Sequence, residues 1–260
     1  MTNLFIGLGQ RLINFLYFLG GIGTLFLRML RWVFTPPFEI RRTLIQAKRS
    51  GWDSLPIISV ISLFIGLILA LQIAYLMQRF GSEMYIASIV ALSVARELGP
   101  VITALVVAGR VGAAIAAEVG TMQVTEQVDA LQTLAYSPIK YLVVPRFLAL
   151  MLMLPLLTLY SDAVGIFGGY TMCVYKLGIT PGMYLNITFE ALKYKDLFTG
   201  LFKSIFFGMI IALSSCYQGL KVTGGAEGVG RATTKAVVNS FIWIIIADCF
   251  FTAIFYFIFP

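Results

Sequence analysis

The chain has 260 residues, 59% of them hydrophobic and 12% charged, with a formal net charge of +7. Soluble domains carry about 25% charged residues, so this composition describes an all-α integral membrane protein. Histidine is absent, which excludes a histidine general base, metal ligand or pH sensor, and Cys173, Cys216 and Cys249 have neither disulfide nor metal spacing.

The basic excess is not a nucleic-acid footprint. Arg11, Arg28, Arg31, Arg41, Arg42, Lys48 and Arg49 all precede the first spanning stretch, as the positive-inside rule requires. Residues 4–33 are apolar but interrupted by arginines and glycines. Leu12, Phe15, Leu16 and Leu19 share one helical face. This pattern predicts an interfacial helix along the inner leaflet with snorkelling arginines; a sixth span is the alternative. Pro36-Pro37 ends it, and a basic linker follows.

A crossing needs about 20 apolar residues. The stretches that qualify run from Pro56 to Met77, Met84 to Val119, Tyr141 to Tyr175, Leu197 to Tyr217 and Ala236 to Phe259. Gly99-Pro100 predicts a break in the second, and Pro155 lies in the third. Ala104, Ala108, Gly112, Ala116 and Gly120 recur every four residues. Such a stripe allows close helix approach, either within the chain or between two copies. With the N-terminus inside, the cytoplasmic segments hold thirteen basic residues and the outer ones four, which sets an N-in, C-out orientation.

Residues 123–134 follow the second stretch. Val124, Val128, Leu131 and Leu134 fall on one face; Glu126, Gln127, Asp129 and Gln132 fall elsewhere. This predicts a short amphipathic helix, resting on the membrane or docking a cytoplasmic partner. Its acidic residues favour docking, because the inner leaflet repels them.

Glu97, Lys203 and Asp248 each stand in a different apolar stretch, and Arg96 adjoins the first of them. A charge at mid-membrane costs about 2.5–3.5 kcal/mol by insertion scales, so these residues mark either a substrate-linked polar network or a structural ion-pair cluster. Two rival classes remain open at this point. One is an ion- or proton-coupled secondary transporter with Glu97 and Asp248 as proton carriers. The other is an intramembrane enzyme, which lacks its residues here: there is no histidine and no Gly-x-Ser-x-Gly. No phosphate-binding Gly-x-x-x-x-Gly-Lys-Ser/Thr loop exists either, so any ATP must be bound by another subunit.

Several blocks carry a family likeness: Arg96-Glu97-Leu98-Gly99-Pro100, Ala108-Gly109-Arg110-Val111-Gly112, Ala117-Glu118-Val119-Gly120-Thr121-Met122 and Thr125-Glu126-Gln127-Val128-Asp129-Ala130-Leu131. Ser137-Pro138, Val144-Pro145-Arg146 and the run from Gly228 to Val238 continue it. Together they resemble the MlaE-type permease of MCE-associated ABC lipid transporters, over about residues 50 to 260. The interfacial elbow helix and its linker are then expected over residues 1–45, and the resemblance implies 46–260 as the permease domain. It implies a homodimer in the bacterial inner membrane with a cytoplasmic N-terminus. Cytoplasmic ABC ATPase subunits would dock beneath it and hold the ATP and magnesium, leaving this chain non-catalytic and without a cofactor. Residues 123–134 would be the coupling helix, with Glu126, Gln127, Asp129 and Leu131 facing the ATPase. An MCE-domain protein, typically a hexamer, would cap the outer side, and a STAS-domain protein would bind the ATPases. The substrate implied is a phospholipid or a similar hydrophobic molecule. Arg96, Glu97, Lys203 and Asp248 are the expected head-group contacts, and Leu69, Leu76, Met77 and Phe80 the expected tail lining.

Overall fold

The computed structural model describes the backbone of residues 2–36 and 39–258, with the side chains of 2–12, 14, 15, 18 and 258 excepted. Among the described residues the chain is helical with no strand, as hydrocarbon demands when each backbone N–H and C=O must be paired locally. The helices are α1 Thr2–Val33, α2 Ile40–Gly51, α3 Leu55–Arg79, α4 Glu83–Val124, α5 Gln127–Thr133, α6 Ile139–Leu177, α7 Pro181–Ala191, α8 Tyr194–Leu220 and α9 Gly225–Ile258. Among the described residues five rods are long and apolar enough to cross a membrane: Ile40–Arg79, α4, α6, α8 and α9.

Three boundaries differ from expectation. The basic linker is helical: α2 runs into α3 through one tight turn at Trp52–Ser54. The last span begins at Gly225, well before its apolar part. The chain at Gly99-Pro100 does not break. It widens into a π-turn over Val94–Leu98 and continues as α-helix, a common way for a helix to absorb a proline.

α6 is the centre of the bundle, flanked by α3 and α8, while α9 packs on α8 and α4. In its most apolar window 61% of residues are buried, against 11% in α9, so α9 is peripheral. Glycines bring α3 and α6 into backbone contact. A Cβ on Gly66 would overlap the Gly165 carbonyl, and one on Gly168 would overlap that of Leu63. The small-residue stripe of α4 is a seam within the chain. Ala104, Ala108 and Ala116 are fully buried, Gly112 faces Ile211 and Ser215 of α8, and Gly120 faces Val222.

α1 crosses the bundle end that also carries α5. Leu25 and Met29 enter the core there. Gly21 abuts the Tyr217 ring, and Lys140 Nζ stands 5.3 Å from the Trp32 ring centroid. Gly208 packs on Leu150, and from that level Tyr217 and Lys140 both lie about 14 Å of helix toward the same end. α1 therefore lies across the tips of α6 and α8. Of the face expected on it, Leu16 and Leu19 are exposed, and the Leu12 and Phe15 side chains lie outside the described residues. Charges tie the same end together. Glu118 pairs with Arg146 at 3.1 Å and Arg49 at 3.6 Å, and Arg110 donates to Ser54 Oγ at 2.7 Å.

Candidate functional site

Pro100 has no N–H to give the carbonyl of Arg96, four residues back. Lys203 of α8 supplies a substitute: its Nζ donates to that carbonyl at 3.3 Å. Gly200 makes the approach possible, because a Cβ there would overlap the Ala95 carbonyl and crowd the Pro100 ring. One turn further along α8, the ammonium donates to Glu97 Oε2 at 2.6 Å and to Thr252 Oγ1 at 2.7 Å. Those three bonds use all its hydrogens. Asp248 Oδ1, 3.0 Å away, is a charge contact with no hydrogen aimed at it. The Thr252 hydroxyl lies 3.1 and 3.2 Å from the two Glu97 oxygens. One lysine thus joins α4, α8 and α9, and its side chain is only 2% exposed.

A second pair flanks the first. Arg96 donates to Asp196 Oδ1 through Nε at 2.7 Å and Nη2 at 2.5 Å. Asp196 Oδ2 accepts the backbone N–H of Lys193 at 2.9 Å, which fixes the first turn of α8. Beside these pairs lies a cavity of about 400 Å³ toward the bundle end that carries α7. Its lining includes four basic side chains, Arg96, Lys193, Lys195 and Lys203, and two acidic ones, Glu97 and Asp196. Thr252, Phe255 and Tyr256 complete one wall. A pocket with a cationic surplus beside aromatic surface suits an amphiphile with an anionic head.

The structure brings Arg96, Glu97, Lys203 and Asp248 together, as the sequence suggested. It does not bring Leu69, Leu76, Met77 and Phe80 to them within one chain. Leu69 and Met77 pack inward against a cluster built by Ala70, Val90, Cys173 and Tyr184; Leu76 and Phe80 are exposed. Sequence reasoning missed Asp196 and Thr252. Thr252 had a usable signal, standing one helical turn after Asp248. It also missed Asp162, a further carboxyl buried inside α6.

The expected amphipathic helix is shorter than residues 123–134. α4 continues to Val124, Glu126 turns the chain with a left-handed φ of 60°, and Ala135 does the same after α5. Val128 is buried and Leu131 half-buried, while Val124, Leu134, Glu126, Gln127 and Asp129 are exposed. α5 is thus pinned by one side and presents an acidic, partly apolar surface on the other.

Residues 43–254 match the family described as Permease MlaE. A Rickettsia felis protein described as a probable ABC transporter permease is 44% identical over 98% of this chain and 99% of its own length. The intermembrane phospholipid transport system permease protein MlaE of Haemophilus influenzae is 33% identical over 98% of both chains.

Proposed function

The chain belongs to the MlaE permease family, and on that premise we propose that its charged cavity receives the head group of a phospholipid. It is a multi-pass permease subunit of an ABC transporter. The substrate class follows the name of the Haemophilus relative, a phospholipid transport permease. The observation that carries the head-group reading is the buried Lys203, held among Glu97, Thr252 and Asp248 beside a cavity with surplus positive charge. Arg96, Lys193 and Lys195 are placed to meet a phosphate, and Phe255 and Tyr256 to meet glycerol and the upper tails.

The chain is non-catalytic and binds no cofactor; ATP and magnesium belong to an ABC ATPase docked on α5. The α5 end is cytoplasmic and the α7 end faces outward from the inner membrane, in line with the basic residues clustered around α1 and α2. Residues 1–45 form the interfacial elbow, and 46–260 the permease proper. The working unit is a homodimer. It is capped on the α7 side by a hexameric MCE-domain protein, with a STAS-domain protein on the ATPases. Leu76 and Phe80, exposed at the α7 end, meet lipid tails in the dimer, and Leu69 and Met77 support them from behind.

Reconstituted vesicles test the head-group reading. The permease–ATPase complex should transfer a phospholipid well and the diacylglycerol with the same tails poorly. Equal ATP-driven transfer of the two would remove any role for the charged cavity in recognising a head group.

A further inference from the structure

α4 and α6 run antiparallel in a close register. A Cβ on Gly169 would meet Val90, one on Gly165 would meet Val94, and one on Gly99 would overlap Asp162 Oδ1. One turn further, this register sets Thr103 opposite Thr158. All three polar side chains are enclosed: Asp162 is 3% exposed, Thr103 1% and Thr158 0%. Asp162 Oδ1, Thr103 Oγ1 and Thr158 Oγ1 are each buried without a hydrogen-bond partner. Next to them Ser62 of α3 and Ser161 share a hydrogen bond of 2.7 Å. A cavity of about 10 Å³, about the space one water or small ion needs, lies beside them; the serines, Gly99 and Gly165 line it, and Asp162, Thr103 and Thr158 stand behind that lining.

Among the described residues no ion pair reaches Asp162. On α4 the charged residues nearest Gly99 in sequence, Arg96 and Glu97, are engaged by α8 instead. An isolated carboxylate in such a place costs several kcal/mol, and each unpaired buried hydroxyl adds about 1–3 kcal/mol. A small positive charge in this seam would neutralise the carboxylate and offer the two hydroxyl oxygens a partner.

We propose that Asp162, Thr158 and Thr103 form a buried site for a single monovalent cation, either a proton or sodium, in the α4–α6 seam. A proton on Oδ1 makes a neutral carboxylic acid and removes the cost of the buried charge. Sodium takes Oδ1 and the hydroxyl oxygens as hard ligands. Either way the occupied site clamps α4 to α6 directly behind Arg96 and Glu97, and so sets where the head-group contacts stand.

Two measurements on the purified permease–ATPase complex separate the sources. The first is Tm at constant ionic strength as sodium replaces choline. The second is the infrared carbonyl stretch of a protonated carboxylic acid at neutral pH. Sodium occupancy predicts a Tm that climbs with sodium, and loss of that climb in Asp162→Asn. Proton occupancy predicts a carboxylic-acid band lost in Asp162→Asn, with no sodium effect. If Asp162→Asn does not assemble, Thr103→Val serves instead: it should weaken the sodium response or shift the band of an otherwise intact complex. A wild-type complex with neither signal overturns the site, as does a signal indifferent to both substitutions.

Discussion

Lys203 has more acceptors around it than hydrogens to offer, and this decides how the cluster responds to substitution. Replacing it by methionine leaves Glu97 and Asp248 facing each other across three helices with no cation between them. Glu97 is 40% and Asp248 21% exposed, so the cost falls below the ~3–5 kcal/mol of breaking a fully buried pair. Lys203→Met should therefore lower the yield of assembled complex, and Glu97→Gln added to it should restore assembly. Lipid transfer at matched yield then separates substrate handling from helix glue. A double variant that assembles and transfers lipid normally would reduce the cluster to a structural tie. Gly200 offers an independent check at the same place. Gly200→Ala pushes α8 off the Ala95 carbonyl, an overpacking change of about 1–3 kcal/mol, and thermal unfolding in detergent should show the loss. Glu97, Lys203 and Asp248 were legible in the sequence because a charge inside an apolar run has few ordinary explanations. Thr252 was harder to single out: its one signal is that it stands a helical turn after Asp248, and hydroxyls often sit in membrane helices without consequence. Nor was the facing of Leu69 and Met77: α3 is apolar all round, so its sequence has no phase that marks an inner side.

At the scale of elements, the five spans were readable from length and hydropathy, while local helical geometry was not. The π-turns at Val94–Leu98, Ala108–Gly112 and Ile139–Val143 use the same residue types as α-helix, and only tertiary packing selects them. α5 was misjudged in the same way. Its apolar spacing extends to Val124 and Leu134, but Glu126 and Ala135 reverse the chain on either side and expose both. What survives is a seven-residue helix anchored by Val128 with Glu126 and Asp129 outward. Charge reversal at both acids should leave the bundle intact, because neither touches it, and should weaken ATPase binding through lost complementarity. Co-purification with a tagged permease measures this; full recovery of ATPase with unchanged ATP turnover would remove α5 as the docking element. Gly112→Leu probes another element, the α4–α8 seam. The Ser215 hydroxyl and the Ile211 side chain leave no room even for a methyl group without displacement, so little folded protein should be recovered. Normal yield of a stable complex would mean that the seam can open.

For the whole molecule, the cavity's walls set the expectation. One chain supplies α4, α8 and α9, and the residues of α3 expected to face lipid tails point away from that cavity, with Leu76 52% and Phe80 75% exposed. Tyr256 of α9, at the same end, lines the cavity and is 73% exposed. In the homodimer proposed above, a two-fold interface that paired α3 of each chain with α9 of the other would resolve the mismatch. Apolar tails from the lipid would then lie between one chain's charged cluster and its partner's Leu76 and Phe80. The chain provides a convenient reporter background, because Cys173 and Cys216 are buried and only Cys249 is exposed. With Cys249→Ser in place, cysteines introduced at Leu76 and Tyr256 should cross-link between chains under mild oxidation. A species of twice the monomer mass should appear on a denaturing gel and vanish on reduction. Cysteines placed at Leu152 and Tyr256 supply the control, since Leu152 is exposed on α6, away from the proposed interface. A Leu76–Tyr256 pair that yields no more dimer than this control would sink the shared cavity. Lipid-tail contacts would then have to come from α8 and α9 of a single chain.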